Sequence, residues 1–174
     1  MGKVAFTGYR PDKLPFREDE RDGNYKRFRN TLKRVIGRLC ELGYNQFISG
    51  VARGFDTWVA EDVLEIKEQY SEATLECAIP FPAQAEKWRF KDRLRREEIL
   101  KRADSTTVTS PEYSNSCFFV RNRYMVDKAD VIVCCYDGKA GGTAYTVDYA
   151  RQMRKIIIQI NPTDMVVSIV GGSL

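Results

Sequence analysis

Short apolar runs alternate with longer amphipathic stretches along the whole chain. The runs are rich in β-branched and apolar residues, as strands are, and the core of the run at 130–136 is apolar throughout, which is typical of a parallel strand buried on both faces. We predict strands at 3–7, 46–49, 74–79, 105–109, 130–136 and 155–160, with a further edge strand at 165–170.

Between these runs, apolar residues recur at spacings of three and four, which is the period of an amphipathic helix. In the stretch 25–42, the apolar pattern ends at Gly43, a residue type that commonly follows the last helical turn. We predict helices at 25–42, 55–70, 84–103 and 118–128, and a last one that ends at 150. This alternation predicts an α/β fold, in which a three-layer Rossmann-like parallel sheet forms a single domain over residues 1–174.

The composition agrees with one compact soluble domain. Of the 174 residues, 43% are hydrophobic and 30% are charged, which suffices for a core, and no apolar run is long enough to cross a bilayer. The chain starts directly with a strand pattern instead of a signal peptide, so we expect a cytoplasmic protein. Five cysteines without CxxC spacing are expected to be reduced core thiols.

The lack of histidine narrows the chemistry that this sequence can perform. Ser-His and Cys-His nucleophiles and His-containing zinc sites are excluded, which leaves acid–base chemistry to carboxylates, Tyr, Lys or Cys. The dinucleotide fingerprint GxGxxG is missing after the first strand, which argues against hydride transfer with nicotinamide. We therefore predict no metal and no cofactor.

The turn at 49–56 joins the second strand to a helix and contains two glycines. Gly50 and Gly54 would let backbone amides approach a ligand closely, and the start of the following helix presents unpaired N–H groups to an anion. An ordinary strand-to-helix connection that uses glycine for its turn geometry explains the same residues equally well. Asp56, in the first helical turn, either caps amide groups or contacts a ribose hydroxyl.

Two further glycine turns follow the first and fifth strands, at the same edge of the predicted sheet. Open α/β sheets bind ligands at this edge, and an Arg there can hold a phosphate through two parallel hydrogen bonds. We therefore predict a phosphate and sugar site of nucleotide size. Its ligand-binding residues are predicted to be Thr7, Gly8, Arg10, Ser49, Gly50, Gly54, Asp56, Arg121, Asn122, Gly141, Gly142 and Thr143. Replacing Gly50 or Gly142 with Val is expected to abolish ligand binding and to leave the fold largely intact.

Four segments carry a resemblance to a known family. They are Thr-Gly-Tyr-Arg at 7–10, the segment 49–58, the segment 121–127 and the stretch 136–143. With them, the chain resembles the YpsA-like branch of the SLOG superfamily over nearly its whole length. That superfamily also contains the Lonely Guy phosphoribohydrolases and the DNA-processing DprA proteins. The resemblance implies a Rossmann-like fold that binds nucleotides or nucleotide-derived ligands.

The resemblance does not extend to the key acid of the phosphoribohydrolases. Those enzymes pair a Pro-Gly-Gly-x-Gly-Thr turn with a glutamate two residues after the threonine, whereas here Tyr145 stands two residues after Thr143 and the next carboxylate is Asp148. We therefore expect a protein that binds or senses a nucleotide or nucleotide-derived ligand, such as a nucleoside phosphate or an ADP-ribose-like molecule. No catalytic residue is assigned.

Two alternatives stay open. A nucleoside-monophosphate phosphoribohydrolase would need Asp56, Glu112 or Asp148 to stabilise the ribosyl cation or to activate water. A DprA-like protein that binds single-stranded DNA would use the basic segment between Lys87 and Arg102, although a charge run on a helix is usually a solvated face. A nucleotide-derived small molecule is thus the favoured partner, nucleic acid is a less favoured one, and no membrane partner is expected.

Two more expectations concern a loop and association. The polar stretch at 11–24 is longer than a typical connection and could act as a lid near the site. Aromatic residues on the helices at 84–103 and 118–128 exceed what one face of a sheet needs, so they predict a homodimer, the other interpretation being that they complete the core of the monomer. They are Trp88, Phe90, Phe118, Phe119 and Tyr124.

Overall fold

The computed structural model describes residues 1–171, in which strands and helices alternate as expected. The strands are β1 (Gly2–Gly8), β2 (Tyr44–Ser49), β3 (Thr74–Ile79), β4 (Ser105–Val108), β5 (Val131–Cys135), β6 (Ile156–Ile160) and β7 (Val167–Val170). The helices are α1 (Gly23–Glu41), α2 (Phe55–Ile66), α3 (Phe90–Arg102), α4 (Cys117–Lys128) and α5 (Gly142–Gln152). A 3-10 turn, Pro11–Lys13, follows β1.

The strands form one sheet in the order β4-β3-β2-β1-β5-β6-β7. Neighbouring strands are parallel, except that β7 runs antiparallel to β6. Helix α2 packs against both α1 and α3, and α4 packs against α5. Because crossovers between parallel strands are right-handed and the chain reverses its direction at β1, the two groups of helices cover opposite faces of the sheet. The predicted α/β class and the Rossmann-like sheet are therefore confirmed.

The chain reverses its direction across the sheet at β1. From β1 it proceeds outward to β4, and it then returns to the other side of β1 to form β5. The connections that follow β1 and β5 therefore leave the sheet in opposite directions, and a crevice opens between them. Open α/β sheets bind their ligands at such a point.

Aromatic side chains fill the core next to α1 and α2. The buried Trp58 ring meets the Tyr25 ring edge to face, with centroids 5.1 Å apart. Phe16, from the loop after β1, packs against Phe28 and Trp58. Leu14 is buried in the same core cluster. The loop predicted as a lid is therefore anchored to the core at these two side chains, and this part of it does not fit a lid.

Two helices differ from their predicted bounds by more than two residues. The helix predicted at 84–103 begins at Phe90, and the segment before it folds into turns over 82–87. The helix predicted at 55–70 ends at Ile66 and continues as hydrogen-bonded turns. Both differences lie at helix ends, where apolar spacing alone does not separate a turn from a helix.

Several basic side chains of the segment around α3 are paired within the protein. Arg95 binds Glu61 on α2, and Arg89 binds Asp92 in the first turn of α3 at 3.0 Å. Arg96 is buried. These three guanidinium groups are therefore engaged within the monomer, and for them the segment is not simply the solvated face that a charge run on a helix usually forms.

Within residues 1–171, no helix combines the length and the apolar character needed to cross a membrane. The same residues contain no group of three or more His, Cys, Asp and Glu side chains arranged to hold a metal ion. All five cysteines are free, and all of them except Cys40 are buried.

Phe16→Ala tests the anchoring of the loop after β1. Phe16 is 3% exposed and packs against three aromatic rings, so its removal leaves a cavity, and we expect the free energy of unfolding to fall by about 3 kcal/mol or more. Denaturant unfolding measures the change. Phe90→Ala is the matched control, because Phe90 is 66% exposed and its loss should change stability by less than about 0.5 kcal/mol. Equal losses in the two variants would contradict the anchoring.

Candidate functional site

A cavity of about 360 Å³ lies in the crevice between β1 and β5, a volume within the range of small-molecule sites. It is lined by Thr7, Gly8, Tyr9, Arg10, Asp12, Lys13, Ala52, Asp56, Phe118, Arg121, Asn122, Gly142 and Thr143. We call it the switch-point cavity. Eight of the twelve predicted ligand-binding residues line it. The four that do not are Ser49, Gly50, Gly54 and Gly141.

The wall of the switch-point cavity contains a buried ion pair. Arg121 Nη1 lies 3.7 Å from Asp56 Oδ2, and the two residues are 5% and 6% exposed. This separation is too long for a hydrogen bond, and Nη1 has no hydrogen-bond partner in the part of the chain that the structure describes. A buried N–H group without a partner costs free energy. Nη1 is closed off from solvent, so the guanidinium meets the cavity through its other atoms.

Burial dominates the ionisation of both side chains. It raises the pKa of Asp56 from 3.8 to about 6, although Arg121, the Ala52 backbone and Arg10 all act in the opposite direction. Burial lowers the pKa of Arg121 against the attraction of Asp56, and the charge of Arg10 lowers it further. Asp56 is thus a carboxyl group that titrates near neutral pH, beside a guanidinium that stays charged.

A chain of hydrogen bonds holds Arg121 in this position. Its Nε donates to Asn122 Oδ1 at 2.8 Å, and Asn122 Nδ2 donates to Thr146 Oγ1 at 2.8 Å. The Thr146 hydroxyl donates in turn to the Gly142 carbonyl at 3.0 Å. The start of α4 is thereby tied to the first turn of α5. Sequence reasoning missed Thr146, although it lies one helical turn after Gly142, which was predicted.

The N-terminus of α5 offers an anion seat in the cavity. Gly142 and Thr143 begin this helix, and no described side chain caps its first amide groups. A Cβ atom placed on Gly142 would have no neighbour within 4 Å in residues 1–171, so the backbone there is open to a ligand. Lys13 reaches the same corner, since its Nζ lies 2.9 Å from the position of a Cβ atom on Gly141. Amide groups and an ammonium group thus converge at this end of the cavity.

The N-terminus of α2, where the phosphate seat was predicted, has amide groups that bond within the protein. The Phe55 N–H donates to the Tyr9 carbonyl at 3.3 Å, and the Thr57 N–H donates to the Ala52 carbonyl at 3.1 Å. These two donors are not available to a phosphate. The start of α5 is therefore the better anion seat of the two.

Gly50 makes room for Arg121. A Cβ atom on Gly50 would overlap the Arg121 guanidinium and would lie 2.7 Å from Asp56 Oδ2. Gly50→Val would therefore displace the buried guanidinium, and the expectation that this variant keeps its fold stays a prediction. The glycine serves the ion pair instead of keeping space for a ligand.

Gly8 and Gly54 allow the loop after β1 to pack closely on the start of α2. A Cβ atom on Gly8 would overlap the Phe55 ring, although Gly8 also lines the cavity. Gly54 has a φ of +88°, and a Cβ atom there would lie 2.8 Å from Pro11 Cδ and 2.9 Å from the Tyr9 carbonyl oxygen. Packing within the protein thus accounts for both glycines, without a ligand.

Ser49 positions the start of α2 from behind the cavity. Its hydroxyl donates to the Asp56 carbonyl at 2.7 Å and accepts from the Val51 N–H at 3.2 Å. Val51 has a φ of +48°, a left-handed conformation that is rare for a β-branched residue. Backbone strain of this kind persists where the surroundings impose it, often at functional sites. The tight turn therefore sets the position of Asp56.

Sequence reasoning missed five lining residues, which are Tyr9, Asp12, Lys13, Ala52 and Phe118. Phe118 could have been found, because it precedes Arg121 by three positions on the same helix and therefore shares its face. Asp12 and Lys13 belong to the 3-10 turn after β1, and no apolar period in that polar stretch indicates the turn.

The three carboxylates considered for acid–base chemistry lie in three different environments. Asp56 lines the switch-point cavity. Glu112 lines a neighbouring groove, and Asp148 is exposed and pairs with Arg151 at 3.0 Å. Asp56 is thus the one of the three that could act in this cavity.

Two solved structures of DNA processing protein A (DprA) share the fold. The protein from Streptococcus pneumoniae aligns with a TM-score of 0.62 at 17% identity, over 92% of this chain and 50% of that one. The protein from Helicobacter pylori aligns with a TM-score of 0.58 at 18% identity, over 91% of this chain and 65% of that one. This chain thus spans half of the first DprA chain and just under two thirds of the second.

Sequence comparison gives closer relatives. UPF0398 proteins of Bacillus thuringiensis (strain Al Hakam) and Bacillus cereus (strain AH187) are each 30% identical to this chain over 159 residues, which cover 90% of this chain and 86% of the relative. The model of the YpsA family, described as the YspA SLOG family, matches residues 4–165. The chain therefore belongs to the YspA SLOG family.

Proposed function

We propose that this protein binds a nucleotide or a nucleotide-derived ligand through its phosphate in the switch-point cavity. The proposal rests on the buried Arg121 guanidinium, which lines the cavity and makes no hydrogen bond with Asp56. A phosphate oxygen that accepts from the guanidinium where it lines the cavity would form a charge-assisted hydrogen bond.

The other charges of the cavity support an anionic ligand. Arg10, Lys13 and Arg121 line it, against the carboxylates of Asp12 and Asp56. Protonation of Asp56, whose pKa is about 6, shifts this balance further toward positive charge. Open amide groups at the start of α5 add donors that suit phosphate oxygens. The cavity therefore attracts a phosphate from several directions.

Gly142→Val tests the anion seat. The valine side chain would fill the open space at the start of α5, so we expect the affinity for ADP-ribose and for ribose 5-phosphate to fall about tenfold or more. Isothermal titration calorimetry measures both affinities. Gly23→Val is the matched control, because Gly23 also begins a helix and a Cβ atom there meets no atom of residues 1–171 within 4 Å.

The two variants separate the possible results. Both should stay folded, and Gly23→Val should bind like the wild type. Normal binding by Gly142→Val would remove α5 from the site, and a wild-type protein that binds neither probe would overturn the proposed function.

Hydrolysis of the N-glycosidic bond of a nucleoside monophosphate is a second candidate, favoured by Asp56. A buried carboxyl group with a pKa of about 6 suits an acid or a base near neutral pH. Incubation with nucleoside monophosphates, followed by chromatography of the free base, decides between the two. Release of base by the wild type and not by Asp56→Asn would support an enzyme, and no release by either leaves a binding protein.

Nucleic acid is the less favoured partner. The structure of DprA from Helicobacter pylori is described by its single-stranded DNA binding mode. In this chain, binding of single-stranded DNA would rest on the basic segment around α3. Arg89 and Arg95 of that segment are already paired with carboxylates, which makes it a weaker site for a nucleic acid. Affinity for an oligonucleotide that falls steeply with salt would support it.

A homodimer is part of the same proposal. Phe119 and Val120 on α4 are exposed, and the Phe119 ring meets the Tyr145 ring of α5 with centroids 4.5 Å apart. This apolar surface lies on the two helices that position Arg121 and the anion seat. Association through it would link the monomer–dimer equilibrium to ligand binding.

The pKa of Asp56 predicts how stability depends on pH. Because the folded state raises this pKa from 3.8 to about 6, the stabilisation that Asp56 contributes is fully present below about pH 4 and is lost as the pH rises through about 6. Relative to Asp56→Asn, the free energy of unfolding of the wild type should therefore fall between these limits, by a value on the order of 3 kcal/mol. Denaturant titrations of both proteins across this pH range measure the difference. A difference that is constant with pH would contradict the buried, titrating carboxyl group.

A further inference from the structure

A second hollow lies beside the switch-point cavity, formed by the chain that follows β3 and β4. Its volume is about 630 Å³, and its lining includes Phe81, Gln84, Trp88, Glu112 and Tyr113. We call it the aromatic groove. The Phe81 ring meets the Phe118 ring edge to face, with centroids 5.9 Å apart, and Phe118 lines the switch-point cavity. The two hollows therefore share a wall made of two aromatic rings.

Two aromatic rings of the groove are not fully buried in the core. Tyr113 is 62% exposed, and its ring meets Phe81 edge to face with centroids 5.5 Å apart. Trp88 is half-buried in the same groove. Aromatic faces that stay open to solvent are stacking surfaces for planar rings such as nucleobases.

The charges of the two hollows differ. The switch-point cavity has three cationic side chains against two carboxylates, as described above. The charged side chains that line the aromatic groove are Lys87, Glu86 and Glu112, which leave a negative balance. A phosphate is therefore attracted to the cavity and not to the groove, which suits a neutral ring.

A polar side chain is held in place at the groove. Gln84 lines it and is buried, and its Oε1 accepts from Arg96 Nη2 at 3.4 Å. The buried Arg96 guanidinium also lies over the Trp88 ring, 6.0 Å from its centroid, and within the described chain its Nε has no hydrogen-bond partner. With its oxygen engaged, the Gln84 amide is left with its N–H groups to donate. The groove thus combines stacking faces with a donor suited to the acceptor atoms of a nucleobase.

Sheet geometry sets the length of a ligand that would reach both hollows. The anion seat follows β5 and Phe81 follows β3, and in the sheet these strands are separated by β2 and β1. Three steps between neighbouring strands span about 14 Å. A nucleoside monophosphate is too short to join a phosphate and a base across this span, whereas a diphosphate with a sugar at each end is long enough.

We propose that the aromatic groove binds the base of a nucleoside diphosphate sugar whose far sugar and phosphates occupy the switch-point cavity. This inference rests on the proposed function, because it extends the same site. Phe118 and Phe81 lie between the two parts of the ligand, and Tyr113 and Trp88 stack on its base. Gln84 donates to an acceptor on the edge of the base.

Tyr113→Ala tests the groove with two probes. ADP-ribose carries a base, and ribose 5-phosphate carries the sugar phosphate alone. Loss of the stacking ring should weaken ADP-ribose binding about fivefold or more and should leave the affinity for ribose 5-phosphate unchanged within about twofold. Tyr113→Phe keeps the ring and should retain the affinity of the wild type. Phe90→Ala, which removes an exposed ring outside the groove, should bind both probes normally.

Tryptophan fluorescence gives an independent measurement. The chain has two tryptophans, and Trp58 is buried in the core. Quenching by ADP-ribose should therefore come from Trp88 and should disappear in Trp88→Phe. Ribose 5-phosphate should not quench the wild type, because it does not reach the groove.

The outcomes separate this inference from the proposed function. If both probes bind and depend on Gly142, but Tyr113→Ala binds ADP-ribose like the wild type, the groove is not a base site and the switch-point cavity still is an anion site. If neither probe binds the wild type, both proposals fail. If Tyr113→Ala weakens binding of a thymidine oligonucleotide while ADP-ribose does not bind at all, a nucleic acid strand occupies the groove and the small-ligand inference is overturned.

Discussion

The buried ion pair between Arg121 and Asp56 is the constraint on which the site depends. Taking two charges out of water costs several kcal/mol per ion, and a separation of 3.7 Å without a hydrogen bond recovers only part of that cost. The surrounding chain is arranged to permit the pair. Gly50 leaves the space that the guanidinium fills, and the Asn122 and Thr146 side chains fix its direction. Three helices, α2, α4 and α5, are thereby brought to one point.

A pair of this kind is a poor means of stabilising a fold. Apolar residues of similar volume would fill the same space with less desolvation, and the unused Nη1 of Arg121 adds a further cost. The proposed function would give the pair a reason, since an anion in the cavity would gain from the buried positive charge of Arg121. The raised pKa of Asp56 follows from the same burial, so the cavity combines a permanent cation with a carboxyl group that can release its charge. The proposed anionic ligand would gain from both properties.

The sequence predicts the fold well because strand and helix periods are local. Apolar runs such as 130–136 lie where β5 is found, and the spacing of apolar residues locates the five helices of residues 1–171, with errors of more than two residues only in α2 and α3. The predicted sheet edge also identified Thr7, Arg10, Arg121 and Thr143, which line one cavity in the structure. The sequence did not identify Thr146 and Lys13 as site residues, because their roles depend on which helices and turns lie next to each other. Contacts between residues that are distant in the chain decide that arrangement.

Two glycines show most clearly what the local sequence cannot predict about the site. Gly50 and Gly142 both follow a strand and both stand near the start of a helix, so their local sequences favour the same interpretation. In the folded protein, the space beside Gly50 is filled by Arg121, which comes from a distant helix, whereas the space beside Gly142 is open. A missing side chain shows only that space is needed at a position, and the rest of the fold decides whether protein or ligand occupies it. In this site the two answers are complementary, because the guanidinium admitted by Gly50 and the amide groups exposed at Gly142 face the same cavity.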